Sequence, residues 1–138
     1  MESHAEHPST PSLEQGLRLA GSPNWRSRCD SALALAEYVE ETAAFEELVN
    51  MLDDSDTAVI EVATRSLTAA AGQRGLVEVL QVLAGSEDNA GYFIRDALVA
   101  LWLDGAPVLE LCRAIVDAEV SDPAREGAAE MINVLTAE

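Results

Sequence analysis

Few side chains in this sequence could carry out chemistry. The two histidines, His4 and His7, lie among the first residues, and the chain contains no lysine. Two imidazoles on a short polar segment make a weak metal site, and acid–base or Schiff-base catalysis has no other histidine or lysine to use. The acidic pairs Glu40-Glu41, Glu46-Glu47 and Asp53-Asp54 are neighbours in sequence. On a helix such carboxylates point apart, which favours a solvated surface over a catalytic pair.

Sequence motifs also argue against catalysis. The chain lacks the nucleophile motif G-x-S-x-G, the phosphate-binding motif G-x-x-x-x-G-K, the zinc motif H-E-x-x-H and a C-x-x-C pair. Cys29 and Cys112 each lie in an apolar helical pattern. Reduced core residues are the favoured interpretation, and we expect no structural disulfide. The sequence therefore predicts a protein that is not an enzyme and that uses no cofactor and no metal.

Charge narrows the class of partner. Eight arginines stand against 25 Asp and Glu residues, which gives a formal net charge of −17. Nucleic acid and anionic membranes require a cationic surface, so both are disfavoured. No apolar run approaches the roughly 18 residues of a membrane span, and residues 1–11 do not resemble a signal peptide, so we expect a cytoplasmic protein. A basic protein partner suits this charge, although a need for solubility accounts for it equally well.

The acids are concentrated in one stretch. No positive residue lies between Arg28 and Arg65, whereas ten acids do. Like charges at this density repel one another and slightly destabilise the fold. They act either as a docking surface for a cationic partner or only as a solubilising surface. The docking hypothesis assigns partner binding to acids of this stretch and to residues of a later helix: Glu37, Glu40, Glu41, Glu61, Tyr92, Asp96 and Trp102.

Helices must position these residues. The chain is rich in Ala, Leu, Val and Glu, and no stretch alternates between apolar and polar residues over the length of a strand. Residues 1–12 are polar and predict a flexible N-terminal tail, and residues 13–138 predict a single repeat domain. Its apolar stripes indicate eight helices in four hairpins, with turns at residues 21–23, 53–56, 85–88 and 121–123.

A repeat runs along these hairpins. Three large apolar residues lie 34 positions apart, and each opens the second helix of a hairpin. A small residue follows four positions later and a large one eight positions later, which predicts a buried stripe with a close neighbour. The three stripes are Trp25-Cys29-Leu33, Val59-Ala63-Leu67 and Phe93-Ala97-Leu101; a fourth, Ala124-Ala128-Ile132, follows after 31 positions.

The third of these helices is apolar on a second side as well. Ile94, Leu98 and Trp102 form a line about 100° around it from the buried stripe. This helix either packs on both neighbouring units or uses Trp102, with Tyr92, as a contact anchor of the kind that interfaces favour.

Residues 48–67 resemble a HEAT-type repeat: a Leu-rich first helix, an acidic turn, then Val59, Ala63 and Leu67. The family's common Arg close after the anchor is matched by Arg26 and Arg125, one place after Trp25 and Ala124, and by Arg95, two places after Phe93; Ile60 departs from the pattern and would interrupt a charged ladder in the second unit. The resemblance implies an all-α, right-handed α-solenoid of about four helical hairpins whose second helices line the concave face.

The family resemblance says little about function, because such arrays act as scaffolds, inhibitors and adaptors. Together with the acidity, it favours a non-enzymatic module that binds a basic protein, for example an immunity protein against a toxin. The alternatives are an adaptor or assembly scaffold without inhibitory role and a lyase-like or enzyme-accessory HEAT protein.

Overall fold

The computed structural model describes residues 11–86 and 89–137, and these residues form eight α-helices without a strand. The all-α prediction with eight helices is thus confirmed for this part of the chain. The helices are α1 Leu13–Ala20, α2 Trp25–Ala36, α3 Thr42–Asn50, α4 Thr57–Ala71, α5 Gln73–Gly85, α6 Asn89–Leu103, α7 Val108–Val116 and α8 Asp122–Thr136. None of them combines the length and apolar character needed to cross a membrane. His4, His7 and most of the predicted tail lie outside the described residues.

Polar side chains just before the helices supply several of the N-caps. Ser12 and Gln15 form a capping box at α1, and the side chains of Asn24, Asp56 and Ser121 accept the first free backbone N–H groups of α2, α4 and α8. The Tyr38 hydroxyl donates to the carbonyl oxygen of Pro11 at 3.0 Å. Pro11 and Ser12 are therefore held against the helices. The turn at 85–88 is only partly described.

Three helices lie side by side, with α4 packed between α2 and α6. The connection from α4 to α5 is the single residue Gly72, whose φ of +61° is a conformation that favours glycine. Helix α8 packs on α7 and α5 instead of extending the row beyond α6. At Gly127 a Cβ would overlap the carbonyl oxygen of Leu80, so this packing depends on a glycine.

The buried side of α2 differs from the prediction. Trp25 and Leu33 are 42% and 60% exposed, and Cys29 between them is only partly buried. The buried residues are instead Ser31, Ala32, Ala34 and Leu35. The same pattern of buried residues recurs on α4 after 32 positions, so the residue that corresponds to the buried Leu67 is Leu35 and not Leu33. The 34-residue spacing is therefore wrong for the first unit, as is the placing of Trp25 in the core.

The other units follow the prediction more closely. Val59, Ala63 and Leu67 on α4 are all fully buried. On α6 the fully buried residues are Ile94, Ala97 and Leu98, whereas Phe93, Leu101 and Trp102 are partly buried. The core side of α6 thus lies between the two predicted apolar lines. On α8, Ala124 and Ala128 are fully buried and Ile132 is partly buried.

Candidate functional site

The row formed by α2, α4 and α6 leaves one side of each helix exposed. On each helix, four residues spaced i, i+4, i+7 and i+11 share this side, because that spacing returns to the same helical face. Most of them are exposed, and the remainder are partly buried. We call these three lines the second-helix face: Arg26, Asp30 and Leu33 on α2 with Glu37 at its C-cap; Ala58, Val62, Arg65 and Ala69 on α4; Tyr92, Asp96, Val99 and Leu103 on α6.

Leu33 forms a ridge on this face, with a groove on each side of α2. Leu19 of α1 lines one groove, and Ala69 and Ala70 of α4 line the other. Leu33 and Glu37 line both. A ridge of this kind, apolar and flanked by grooves with apolar walls, presents surface that a partner could remove from water.

Carboxylates outnumber free cations around the ridge. Arg65 lies 3.9 Å from Glu61 on its own helix, and Arg26 stacks over the Trp25 ring at 5.3 Å. Asp30 and Glu37 form no ion pair within the described residues. The two acids beside Leu33 are therefore available to a cation from outside.

The α6 part of the face carries two large exposed apolar side chains. Tyr92 is 59% exposed and Leu103 is 72% exposed, and the Tyr92 ring meets the Phe93 ring edge to face. Asp96 lies between them on the same line. Trp102 is partly buried and packs against the core. Of the two predicted aromatic anchors, Tyr92 is thus the accessible one.

The predicted binding acids do not form one cluster. Glu37 and Asp96 lie on the second-helix face, and Glu61 lies beside it on α4. Ala69 of α4 lines the same groove as Glu37. Glu61 lies about 12 Å away from Ala69 along the axis of α4. Glu40 lies in the connection between α2 and α3, and Glu41 occupies the N-cap position of α3. Both are exposed at the end of α2, beyond the face.

Some acids of the predicted stretch are structural. The Asp54 carboxylate accepts two hydrogen bonds from the Arg28 guanidinium, at 2.9 and 3.0 Å, and a third from the backbone N–H of Asp56. Arg28 also donates to the carbonyl oxygen of Ser22. Burial favours the neutral acid, but these bonds outweigh it and hold the pKa of Asp54 below its usual value. Asp54 thus joins α2 to the turn before α4.

Leu33, Asp30 and Leu103 are residues of this face that the sequence patterns did not select as binding candidates. The run Leu33-Ala34-Leu35 offers two leucines of equal hydrophobicity, and periodicity alone does not decide which one is buried. A usable signal was the polar pair Arg28 and Ser31, which need partners inside the fold. The Ser31 hydroxyl donates to the carbonyl oxygen of Gly16 at 2.6 Å, and this bond faces that side of α2 inward.

Neither cysteine is arranged for nucleophilic chemistry. Burial raises the pKa of the Cys112 thiol to about 12. Burial, with the carboxylates of Asp56, Asp30 and Asp54 nearby, also raises the pKa of Cys29. Both are free thiols. In the described part of the chain, no group of three or more histidine, cysteine or acidic side chains is placed to hold a metal ion.

Comparison with models of known protein families, with curated proteins and with solved structures gives no significant match.

Proposed function

We propose that this protein is a non-enzymatic binding module that recognises a basic protein through its second-helix face. The observation that carries the proposal is the exposure of three large apolar side chains, Leu33 on α2 and Tyr92 and Leu103 on α6, each on a side of its helix that also presents carboxylates: Asp30 and Glu37 for α2, and Asp96 for α6. A surface that served solubility alone would gain nothing from exposed leucine and tyrosine side chains. Apolar anchors surrounded by charge are typical of protein interfaces.

The size of the face suits one protein partner. Three helices at a spacing of about 8–10 Å, each about 20 Å long, present a surface of roughly 500–600 Å² before the relief of the side chains is counted. Stable interfaces bury about 800 Å² on each partner. Contacts along the edges of the face, for example at Glu40 and Glu61, would supply the difference.

The net charge of −17 supports a cationic partner. Complementary charge speeds association and disfavours acidic competitors, and the apolar anchors slow dissociation. The most concrete form of the proposal is an immunity-type antagonist that covers the basic cleft of an effector. An adaptor that uses the same face without inhibition is the alternative, and it differs only in what binding does to the activity of the partner.

A HEAT-like, right-handed solenoid of four hairpins is the architecture we propose for this module. The packing of α2, α4 and α6 in a row supports it for the first three hairpins. The last hairpin departs from a uniform stack, since α8 lies on α5. Terminal units of repeat arrays often deviate because they close the core.

The test is capture from the native host by the immobilised full chain, at low salt and again above about 0.15 M, where the screening length is near 8 Å. We expect a partner of high isoelectric point whose recovery falls as salt rises and is reduced by a Tyr92→Ser, Leu103→Ser double variant. Pro123→Ser, an exposed position on α8, is the control. Salt-insensitive capture of an acidic partner, or equal capture by the double variant and the control, would contradict the proposal. Assay of the partner with and without the protein separates antagonist from adaptor.

A further inference from the structure

We infer that the basic partner docks astride Leu33, placing one apolar side chain in each of the two grooves beside α2 and a cationic side chain between them, against Glu37. This inference rests on the proposed function and specifies where on the face the partner binds and which chemistry is recognised.

The two grooves define the spacing of the apolar groups. One lies between α1 and α2, with Pro11 and Leu19 on its far wall, and the other lies between α2 and α4, with Ala69 and Ala70 there. They are separated by the width of one helix, about 8–10 Å. On a helical partner, side chains seven positions apart are separated by about 10.5 Å and lie on nearly the same face, so a helix laid across α2 would fill both grooves.

Glu37 supplies the charged contact. It lies one turn after Leu33 and lines both grooves, and it has no ion-pair partner among the described residues. Asp30, on the other side of Leu33, lines the α1 groove. Arg65 lines the groove between α2 and α4 as well; it lies 3.9 Å from Glu61 on its own helix, and both side chains are about 40% exposed. Two carboxylates and one arginine line the two grooves, so an incoming arginine or lysine meets a net negative charge beside the apolar ridge, whereas an acidic side chain would be repelled.

Small side chains keep the second groove open. Ala36, Ala69 and Ala70 line it where larger residues would fill it. Ala69 and Ala70 are exposed, so core packing does not require alanine at either position. A partner side chain inserted here would bury Leu33 against the α4 wall, and burial of an exposed leucine is favourable.

The probe is a capped, alanine-based helical peptide of about 20 residues, long enough to hold a helix. It carries two leucines seven positions apart with arginines between and beside them. The matched control peptide has the same composition with the leucines on opposite faces, so both peptides carry the same charge. Binding to the full-length protein is measured by fluorescence anisotropy at constant salt.

We expect the patterned peptide to bind about tenfold more tightly than the control, and this preference to disappear in Leu33→Glu and in Glu37→Arg. Glu126→Arg makes the same change of charge at an exposed site on α8 and should keep the preference. Ala69→Leu, which fills the groove without changing charge, should weaken the patterned peptide alone. Circular dichroism and thermal melting establish that each variant is folded.

Equal affinity for the two peptides, absence of binding by either, or a preference that survives Leu33→Glu would overturn docking astride Leu33. These results leave the proposed function intact if the host partner is still captured in a salt-sensitive way and lost on Tyr92→Ser, Leu103→Ser. If salt-sensitive capture itself fails, the proposed function fails independently of the peptide result.

Discussion

Helices α2 and α4 carry the same sequence pattern with opposite outcomes. Both have a large, a small and a large apolar residue at intervals of four. On α4 these residues, Val59, Ala63 and Leu67, are fully buried, whereas on α2 the large residues of the same pattern, Trp25 and Leu33, are exposed. Hydrophobic periodicity identifies an apolar stripe but does not say what the stripe faces.

Polar contacts account for the difference. On α2, Arg28 reaches Asp54 and Ser31 reaches Gly16, and both bonds lie on the side that is turned inward. Turning Leu33 into the core would leave a guanidinium and a hydroxyl without these partners, which costs more than burying one leucine in place of another gains. On α4 the charged pair Glu61 and Arg65 is partly exposed, and the buried Thr64 hydroxyl donates to the carbonyl oxygen of Ile60 on the same helix, so neither contact ties another side of α4 inward.

Truncation of the two leucines tests the comparison most directly. Leu67→Ala should lower the free energy of unfolding by about 2–5 kcal/mol, because it leaves a cavity at a fully buried site. Leu33→Ala should change it by no more than about 0.5 kcal/mol, because Leu33 is mostly in water. Urea unfolding followed by circular dichroism measures both. Similar losses in the two variants would place Leu33 in the core and invalidate the register of α2.

Glycines beside the two leucine stripes differ in what they touch. A Cβ at Gly75 would overlap the backbone carbonyl of Leu67, whereas a Cβ at Gly16 would meet the Cδ2 atom of Leu35 at 3.0 Å. The backbone carbonyl cannot move away from an added Cβ, whereas the end of a leucine side chain can shift by a few tenths of an ångström. Gly75→Ala should therefore cost about 1–3 kcal/mol, whereas at Gly16 the gain in helix propensity, about 1 kcal/mol, should offset the crowding.

Gly85 serves as the control for this pair, since nothing lies within 4 Å of a Cβ there. Gly85→Ala should leave the melting temperature unchanged or raise it slightly. If Gly75→Ala behaves like Gly85→Ala, the close approach of α4 and α5 is not what the structure indicates.

The Arg28–Asp54 contact, which holds α2 to the turn before α4, should make the stability of the protein depend on pH. The folded-state pKa of Asp54 is below the usual 3.8, so its stabilisation is complete above pH 3.8 and is lost as pH falls through the folded value. Asp54→Asn should melt at a lower temperature than the wild type at neutral pH, and the difference should close in acid, where the wild-type carboxyl is also protonated. In acid, protonation of the other carboxylates also reduces their mutual repulsion, but this affects the wild type and Asp54→Asn alike. Asp53→Asn, at an exposed neighbour, should show no comparable difference.

Much of the fold could be predicted because helix signals are local. The turn residues at 21–23, 53–56 and 121–123 and the stripes of apolar residues placed the helices and most turns. The side on which a stripe packs depends on contacts far apart in sequence, such as Arg28 with Asp54, 26 positions away. The position of α8 on α5 likewise depends on the lack of a side chain at Gly127.

The candidate site was predicted only in part. Glu37, Tyr92 and Asp96 lie on the second-helix face, because exposure of a charged or amphipathic residue follows from its position on the helix. Asp54 and Asp56 could not be separated from the other acids by composition, since only the fold shows that they bind Arg28 and cap α4. Leu33 was assigned to the core because it fitted a repeat of 34 residues where the structure uses 32.

The reactivity of the two cysteines tests the difference between the exposed stripe of α2 and the core without any substitution. Cys29 lies on the outward stripe of α2, whereas Cys112 lies in the core, where its pKa is raised to about 12. A neutral-pH alkylating reagent needs both access and thiolate, so Cys112 should react only through opening of the α7–α8 pair or after denaturation. Cys29 should react in the folded protein, more slowly than free cysteine because its own pKa is raised. Mass spectrometry after a timed pulse should find one label on Cys29 in the native protein and two labels in urea. First labelling at Cys112 would mean that the Trp25-Cys29-Leu33 stripe is the better buried of the two regions, and the assignment of Leu33 to the surface would then be wrong.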